Sequence, residues 1–287
     1  AQGVVLATFG DMLRVPGSTA SLEAARREGA DVLICYSPSE ALDRARSDPG
    51  REVVFLAIGF ETTAVPLIAT VRRAAGEGLR NVSLLTAFRR VPPVLDALAG
   101  DPELAIDAFL MPAHVSAILG ADAYRPFAER TGRPCVIAGF EPLDILYGID
   151  GLLAQAVEGR ARVDNQYGRV VKDGGNPRAL ALMNEMLAPC DASWRGLGLL
   201  PASGFELAPA YREFDAEKKF GLSVAPGRSH PGCRCGDVIA GRIDPPDCAL
   251  FGAACVPEHP IGPCMVSSEG TCAAWVRYES TKARAAS

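Results

Sequence analysis

The chain has 287 residues, of which 48% are hydrophobic and 22% are charged, which is an ordinary globular composition. Its formal net charge is −5, so no basic surface for nucleic acid or for an anionic membrane is indicated. The longest apolar runs, such as Val53–Phe60, are too short to cross a bilayer. A chain of this length is expected to form two or three domains, each with its own core.

Apolar runs alternate with amphipathic segments over residues 1–200. The apolar runs predict strands at Val4–Thr8, Asp31–Tyr36, Glu52–Gly59, Asn81–Ala87, Ile106–Met111, Pro134–Gly139 and Leu197–Pro201. The segments between them predict helices at Ser21–Glu28, Ser39–Ser47, Thr62–Gly76, Val91–Ala99 and Pro142–Gln155. A strand at Arg169–Lys172 and a helix at Asn176–Leu187 are predicted to follow. Leu-rich and β-branched strands separated by helices indicate an α/β fold with mainly parallel sheets flanked by helices.

One short pattern occurs twice along the chain. Ala57-Ile58-Gly59-Phe60-Glu61 ends one predicted strand and begins a helix, and Ala138-Gly139-Phe140-Glu141 does the same further along. The repetition predicts two similar α/β lobes with a crevice between them.

Polar side chains follow several of the predicted strands, and the candidates are Asp11, Glu61, His114 and Glu141. Ligands of open α/β sheets bind beyond the C-terminal ends of the strands, so these residues predict a site between the lobes. Structural interpretations remain open for each of them. Asp11 could be a helix cap, and the two glutamates could simply favour helix N-termini. His114 could be a hydrogen-bonded loop residue.

Six of the nine cysteines lie close together near the end of the chain. They are Cys233, Cys235, Cys248, Cys255, Cys264 and Cys272. The other three, Cys35, Cys135 and Cys190, stand alone and are interpreted as inert buried thiols. Gly and Pro recur around the six cysteines, so this stretch cannot form a large apolar core and something else must hold it together.

Three interpretations of the six cysteines compete. An iron–sulfur cluster needs four thiolates on loops whose backbone N–H groups turn toward the sulfurs, and a Gly/Pro-rich chain suits that need. Zinc usually takes two close cysteine pairs, whereas this chain has a single close pair, Cys233 and Cys235. Disulfides alone would require an oxidising compartment, which the conventional α/β sequence disfavours. We favour a cluster in a reducing cytoplasm, with the two spare thiols able to form a redox disulfide.

Eight segments carry a family resemblance. They are Thr8-Phe9-Gly10-Asp11-Met12-Leu13-Arg14-Val15-Pro16-Gly17-Ser18, Gly59–Ala64, Pro112–Ser116, Gly139–Asp144, Asn165–Tyr167, Glu213–Asp215, Cys233–Asp237 and Met265–Cys272. Together they resemble the HypD family of [NiFe]-hydrogenase maturation factors. The resemblance covers essentially the whole chain, and the Cys-rich stretch is its most specific part.

The resemblance implies a scaffold for assembling the Fe(CN)₂CO unit of [NiFe]-hydrogenases. It implies a [4Fe–4S] cluster with the ligands Cys233, Cys248, Cys255 and Cys272, and a redox dithiol/disulfide formed by Cys235 and Cys264. His114, Glu61, Glu141 and Asp11 would support the transient iron with its cyanide and CO ligands in the cleft. A small HypC-type chaperone and the HypE–HypF cyanide donor system are the implied partners. No conventional enzymatic turnover is expected.

This sequence departs from the family pattern in one respect. A C-G-x-H-type segment and a G-P-G-C-P-V-C segment, which the family carries upstream, are absent, so we expect the chain to be N-terminally incomplete. On this basis it could hold the cluster rather than the substrate iron. The predicted organisation is a first α/β lobe over residues 1–88 that lacks its start, a second lobe over residues 89–212, and a Cys-rich iron–sulfur domain over residues 213–287.

Two other functions remain open. One is a stand-alone iron–sulfur oxidoreductase that turns over a disulfide or dithiol substrate without a partner. The other is a zinc-stabilised binding module, which would be a colourless protein.

Overall fold

The computed structural model describes residues 3–17, 19–223 and 230–285, with side chains up to residue 279. Ser18 of the first motif lies outside the described residues. The strands are β1 (Val4–Phe9), β2 (Val32–Cys35), β3 (Glu52–Gly59), β4 (Val82–Arg89), β5 (Phe109–Pro112), β6 (Cys135–Ala138), β7 (Val163–Asn165), β8 (Leu187–Trp194) and β9 (Gly198–Leu207). The helices are α1 (Leu22–Arg27), α2 (Ser39–Ser47), α3 (Glu61–Gly76), α4 (Val91–Ala99), α5 (Ala113–Leu119), α6 (Arg125–Thr131), α7 (Pro142–Glu158), α8 (Pro177–Met186), α9 (Ala216–Lys219), α10 (Cys235–Ile239), α11 (Pro263–Val266) and α12 (Thr271–Ala285). Short 3₁₀ segments lie at Gly10–Arg14, Ala121–Tyr124, Pro209–Phe214 and Pro245–Asp247.

The first sheet has the strand order β2-β1-β3-β4-β9-β8. Strands β1 to β4 are parallel to their neighbours, and the hairpin of β8 and β9 adds to β4 in the antiparallel direction. Helices α2 and α3 pack on β3, and the core between them contains Leu42, Phe55, Leu67 and Phe214. The predicted mainly parallel sheet flanked by helices is therefore confirmed.

The second sheet has the order β5-β6-β7 and is parallel throughout. Every residue of β6 is buried, because α7 packs on this strand while a second apolar cluster fills the sheet's other side. That cluster includes Met111, Tyr124, Phe127 and Ile137. A short central strand buried in this way reads in the sequence as a continuous apolar run, which is why it was predictable.

The predicted strand at Arg169–Lys172 is wrong. This segment lies in and just after a turn, and the strand of this region is β7. The side chain of Asn165 closes the turn, because its Oδ1 accepts a hydrogen bond from the backbone of Tyr167 and its Nδ2 donates to the carbonyl of Val171. Side-chain bonds of this kind compete with strand pairing.

The hairpin of β8 and β9 was only partly predicted. The predicted strand Leu197–Pro201 covers the start of the longer β9, and its partner β8 was not predicted. Strand β8 contains Pro189, which an edge strand tolerates because one of its sides needs no ladder hydrogen bonds. Residues 187–207 fall within the predicted second lobe, and in the structure they pair with the first sheet.

The Cys-rich region consists of short helices and turns around its own small core. It is joined to the second lobe by a hydrogen bond from Ala105 N to Ala240 O of 3.0 Å and by an ion pair of 2.8 Å between Arg242 and Asp101. Gly196, at the tip of the β8–β9 hairpin, joins it to the first sheet through a contact with Gly236. In the described part of the chain, none of the helices has the length and apolar character to cross a bilayer.

Candidate functional site

The six clustered cysteines line one pocket. The pocket is bounded by Cys233, Cys235, Cys248, Cys255, Cys264 and Cys272, together with Val238, Leu250, Phe251 and Gly262. All nine cysteines of the chain are free thiols in this structure. The chain thus brings together, in an apolar setting, all six thiols that the sequence singled out.

Turns place three of these thiols and short helical segments the other three. The backbone N–H groups of Cys233, Cys248 and Cys255 donate to carbonyls three to five residues earlier, at His230, Pro245 and Leu250. Cys235, Cys264 and Cys272 lie on the short helix α10, on α11 and at the start of α12. Because the Gly/Pro-rich chain turns so often, cysteines far apart in the sequence face one space.

Backbone amides turn toward the sulfurs. The N–H of Ile261 donates to Cys255 Sγ at 3.3 Å. The amide of Cys235 lies near the sulfur of Cys233, that of Cys264 near the sulfur of Cys235, and that of Cys272 near the sulfur of Cys264. Each amide favours the thiolate form of the sulfur that it faces. Donors of this kind stabilise thiolates that bind iron.

Cys264 lies close to two other cysteines of the pocket. Its Sγ is 3.0 Å from Cys272 Sγ, and the thiol of Cys235 is also near enough to interact with it. Interaction with the thiol of Cys235, and then with that of Cys272, lowers the pKa of Cys264 to about 6. The pKa of Cys235 is raised, chiefly by its interaction with Cys264, and the pKa of Cys272 is raised, chiefly by burial.

The residues present fit an iron–sulfur cluster. Soft thiolates, apolar walls and N–H groups aimed at sulfur are the donor set that such clusters require. The chain also keeps side chains away from the sulfurs at Gly262, where a Cβ would lie 2.7 Å from Cys233 Sγ and 3.8 Å from Cys264 Sγ. Within the described residues, no three side chains of His, Cys, Asp or Glu are arranged to hold a single metal ion.

Glu61 is the most deeply buried of the four cleft candidates. It begins α3, is 1% exposed, and accepts a hydrogen bond of 3.0 Å from the N–H of Val91 at the start of α4. Its second oxygen, Oε2, is buried and has no hydrogen-bond partner. Burial raises the pKa of Glu61. Nearby, burial raises the pKa of Tyr124 to about 12, and Ser116 Oγ lies 3.3 Å from its hydroxyl.

We expect Glu61→Gln to be stabilising at neutral pH. Because the pKa of Glu61 is raised on folding, the folded chain binds this proton more tightly than the unfolded chain, and ionisation as the pH rises favours unfolding. The melting temperature of the variant should therefore exceed that of the wild type at pH 8, with a smaller gap at pH 5.

Glu141→Gln is the matched control, because Glu141 belongs to the second copy of the Gly-Phe-Glu pattern and its side chain is 64% exposed. A gap for Glu61→Gln that is equal at both pH values would contradict the prediction.

His114 and Glu141 lie near one another in the second lobe. The His114 ring, on α5, lies 4.6 Å from the ring of Phe140, which directly precedes Glu141. Glu141 is the N-terminal cap residue of α7 and lies 3.6 Å from Arg169, which also binds Asp144 in a bidentate ion pair. The two copies of the pattern thus have unlike surroundings, since Glu61 is buried and Glu141 is exposed.

Asp11 faces the Cys-rich region. With Arg14 it lines a groove of about 730 Å³ whose opposite wall includes Glu258, Met265 and Arg277. In the described part of the chain, no hydrogen bond or ion pair links Asp11 to Glu61, His114 or Glu141. The structure therefore gathers His114 and Glu141 on the second lobe and places Glu61 and Asp11 in separate surroundings.

The isolated cysteines of the two sheets are buried. Burial raises the pKa of Cys35 to about 11 and that of Cys135 to about 12, so both are poor nucleophiles. Cys190, on β8, is half-buried, and burial also raises its pKa.

Helix α7 presents an apolar face to the surface. Its exposed large apolar residues are Leu143, Ile145, Leu146, Tyr147, Ile149, Leu153 and Val157, with Phe140 just before the helix. Leu146 and Leu153 are each 61% exposed. Exposed apolar surface of this kind is typical of interaction sites.

Gly262 and the hairpin tip at Arg195 and Gly196 were missed by the sequence analysis. The signal for Gly262 is its position two residues before Cys264, where a glycine allows close approach of the backbone. The signal for the tip is the turn pattern Gly196-Leu197-Gly198. The docking of this turn on the Cys-rich region depends on long-range packing, which local patterns do not reveal.

Comparisons with known proteins agree with the motifs. The family described as HypD, hydrogenase formation hypA family, matches residues 1–279. The hydrogenase maturation factor HypD of Azotobacter vinelandii is 47% identical over 283 residues, which cover 96% of this chain and 75% of that protein. The HypD of Rhodobacter capsulatus is 46% identical over 98% of this chain and 76% of its own length. The HypD of Escherichia coli K12 is 43% identical over 98% of this chain and 76% of its own length.

Proposed function

Since the chain belongs to the HypD family of hydrogenase maturation factors, we propose that it serves as a scaffold and redox component in assembly of the Fe(CN)₂CO unit of [NiFe]-hydrogenase, through a [4Fe–4S] cluster in its cysteine pocket. The observation that carries this proposal is the pocket itself. Six thiols surround one apolar space, backbone N–H groups face their sulfurs, and Gly262 leaves that space free of a side chain.

Four of the thiols would hold the cluster and two would form a redox pair. Cys233, Cys248, Cys255 and Cys272 are the proposed ligands, and the bound cluster would supply one-electron transfer. Cys235 and Cys264 both line the pocket and lie close enough for each to shift the pKa of the other, which supports their assignment as the pair. Oxidation of these two thiols to a disulfide releases two electrons and two protons. The two electrons would cleave the S–C bond of a cyanide carried on a donor sulfur into thiolate and cyanide, one proton could neutralise that thiolate, and the other would pass to solvent.

The cleft residues are proposed as supports for the substrate iron. Glu61 offers a buried carboxyl oxygen without a partner, while His114 and Glu141 provide polar groups on the second lobe. Asp11 lies toward the Cys-rich region, and we propose for it an electrostatic role at that side of the cleft. An unpaired oxygen in a buried place is costly, and a ligand that donates to it would offset that cost.

We further propose that the chain works in the cytoplasm with a small HypC-type chaperone and with the HypE–HypF cyanide donor system. The exposed apolar face of α7 is the proposed contact surface for the chaperone. Family membership and the exposure of several large apolar side chains on this helix support the assignment.

Leu146→Glu should weaken binding of the chaperone by about tenfold or more, because a charge would enter the centre of an apolar contact. The residue is 61% exposed, so folding should be unaffected. Leu199→Glu is the matched control, since Leu199 is also an exposed leucine but lies on β9. Titration of each variant with a purified HypC-type protein measures the effect. Equal binding by both variants would mean that the chaperone contacts another surface of the chain. In a separate assay, turnover of a disulfide substrate without any partner would favour the stand-alone oxidoreductase.

The cluster proposal is tested by purifying the full chain without oxygen and measuring iron, acid-labile sulfide and the visible spectrum. We expect a brown protein with about four irons per chain and a broad visible absorption band at about 400 nm. A colourless protein with about one zinc would contradict the redox mechanism and support a structural zinc site.

A further inference from the structure

The tip of the β8–β9 hairpin reaches from the first sheet to the cysteine pocket. At this tip the backbone of Gly196 is in direct contact with that of Gly236, the residue that follows Cys235. A Cβ on Gly236 would collide with the carbonyl oxygen of Gly196, and a Cβ on Gly196 would lie 3.1 Å from Gly236 N. The approach therefore requires glycine at position 236, and a side chain at position 196 would press on the backbone of Gly236.

The hairpin is held on the first sheet close to its tip. Arg89, on β4, donates to the carbonyl of Ser193 at 2.8 Å, and within the hairpin the indole N–H of Trp194 donates to Ser203 Oγ at 2.8 Å. Arg90 N donates to the carbonyl of Ser203 at 2.9 Å, which continues the pairing of β9 with β4. The tip is therefore a fixed point against which the Cys-rich region rests.

The same tip forms one wall of a second opening beside the pocket. Arg195 and Gly196 bound this opening together with His230, Ile261 and Pro263, and its floor is formed by Cys233 and Cys235. Cys235 itself is 3% exposed. The hairpin thus covers the side of the pocket where one of the two proposed redox thiols lies.

We propose that the hairpin tip, through Gly196, is a positioning element for Cys235: it holds the start of α10 in place and restricts the access of reactants to this thiol. The inference rests on the proposed function only in treating Cys235 as a redox thiol, since the contact itself does not depend on a cluster. It assigns to the first lobe a direct role in thiol chemistry that takes place in the Cys-rich region.

Two glycines of the same turn make a matched pair of variants. Gly196 and Gly198 have positive φ angles of 88° and 81°, so alanine causes comparable backbone strain at either position. Only Gly196 contacts the Cys-rich region, whereas a Cβ on Gly198 meets no atom within 4 Å. A difference between Gly196→Ala and Gly198→Ala therefore reports on the contact and not on the strain.

The test measures alkylation of Cys235 by iodoacetamide in the full chain, purified without oxygen and reduced, with each modified cysteine quantified by peptide mass spectrometry. We expect Gly196→Ala to accelerate alkylation of Cys235 by about fivefold or more, as in local opening, and Gly198→Ala to leave it near the wild-type rate. Buried Cys35 and Cys135 are internal controls that should stay unreactive in all samples.

Equal rates at Cys235 in the two glycine variants would overturn the proposal. If Gly196→Ala also exposes Cys35 and Cys135, Arg89→Ala is the deciding variant, because it removes the hydrogen bond from β4 to Ser193 without adding an atom at the tip. Acceleration at Cys235 alone would support the positioning role, and an unchanged rate would overturn it. Iron content, measured on the same samples, reports separately on the cluster.

Discussion

Replacing Cys248 by alanine should leave the protein without its cluster. Cys248 lines the pocket, is buried, and forms no hydrogen bond with another cysteine in the described residues. Its removal should therefore leave the Cys235–Cys264 pair intact while taking away one of four proposed ligands. We expect iron to fall from about four to below about one per chain, with loss of the visible band.

The control for this experiment is Cys190→Ala. Cys190 lies on β8, outside the pocket, so its loss should leave iron, sulfide and colour unchanged. Both variants lose one thiol, and deleting a single sulfur atom from a buried site costs about 1 kcal/mol of stability. A Cys248→Ala protein that keeps its full iron content would remove Cys248 from the ligand set, and equal loss of iron in both variants would point to unfolding instead.

The parts of the fold that rest on local patterns were predicted well. Strand β3 and helices α2 and α4 have the bounds that the sequence predicted. In β3 an unbroken apolar run ends at a glycine, and in α4 two prolines lie in the first turn, where they cost no hydrogen bond. Such signals are contained within a single element and do not depend on what packs against it.

The parts that rest on distant packing were not predicted. Strand β8 carries Pro189 and Asp191, which disfavour a strand unless it lies at a sheet edge, and the edge position follows from the pairing of β9 with β4. Glu61 and Glu141 share one sequence pattern, yet α4 buries only the first of them. Whether a residue is buried depends on the element that packs against it, so the same sequence pattern occurs in two different environments.

The candidate site was also predictable only in part. The six cysteines were identifiable from their number and spacing, and the structure places them around one pocket. Which thiols contact one another depends on how the turns between them fold. In the structure Cys264 Sγ lies 3.0 Å from Cys272 Sγ, so one proposed redox thiol touches one proposed ligand. This contact would give the proposed relay of electrons a direct route, which spacing alone could not indicate.

Gly262→Ala should weaken binding of the proposed cluster while the fold survives. Gly262 has an ordinary extended backbone, with φ of −88°, so alanine adds no backbone strain at this position. Its new methyl group would lie 2.7 Å from Cys233 Sγ, which is closer than carbon and sulfur can approach. Either the sulfur or the backbone of Ile261–Pro263 must move, at a cost of about 1–3 kcal/mol.

The displacement falls on a proposed ligand, so cluster binding should suffer more than folding. We expect iron per chain to fall by about half or more in Gly262→Ala, and the bulkier Gly262→Val to bind almost none, because metal sites tolerate only small errors in ligand position. Gly232→Ala is the matched control in the same region, since its Cβ would meet His230 at an ordinary 3.5 Å. Iron analysis and thermal melting of the three variants separate the two effects. Full iron in Gly262→Ala would mean that Cys233 Sγ can leave its position freely, and Cys233 would then no longer stand as a ligand.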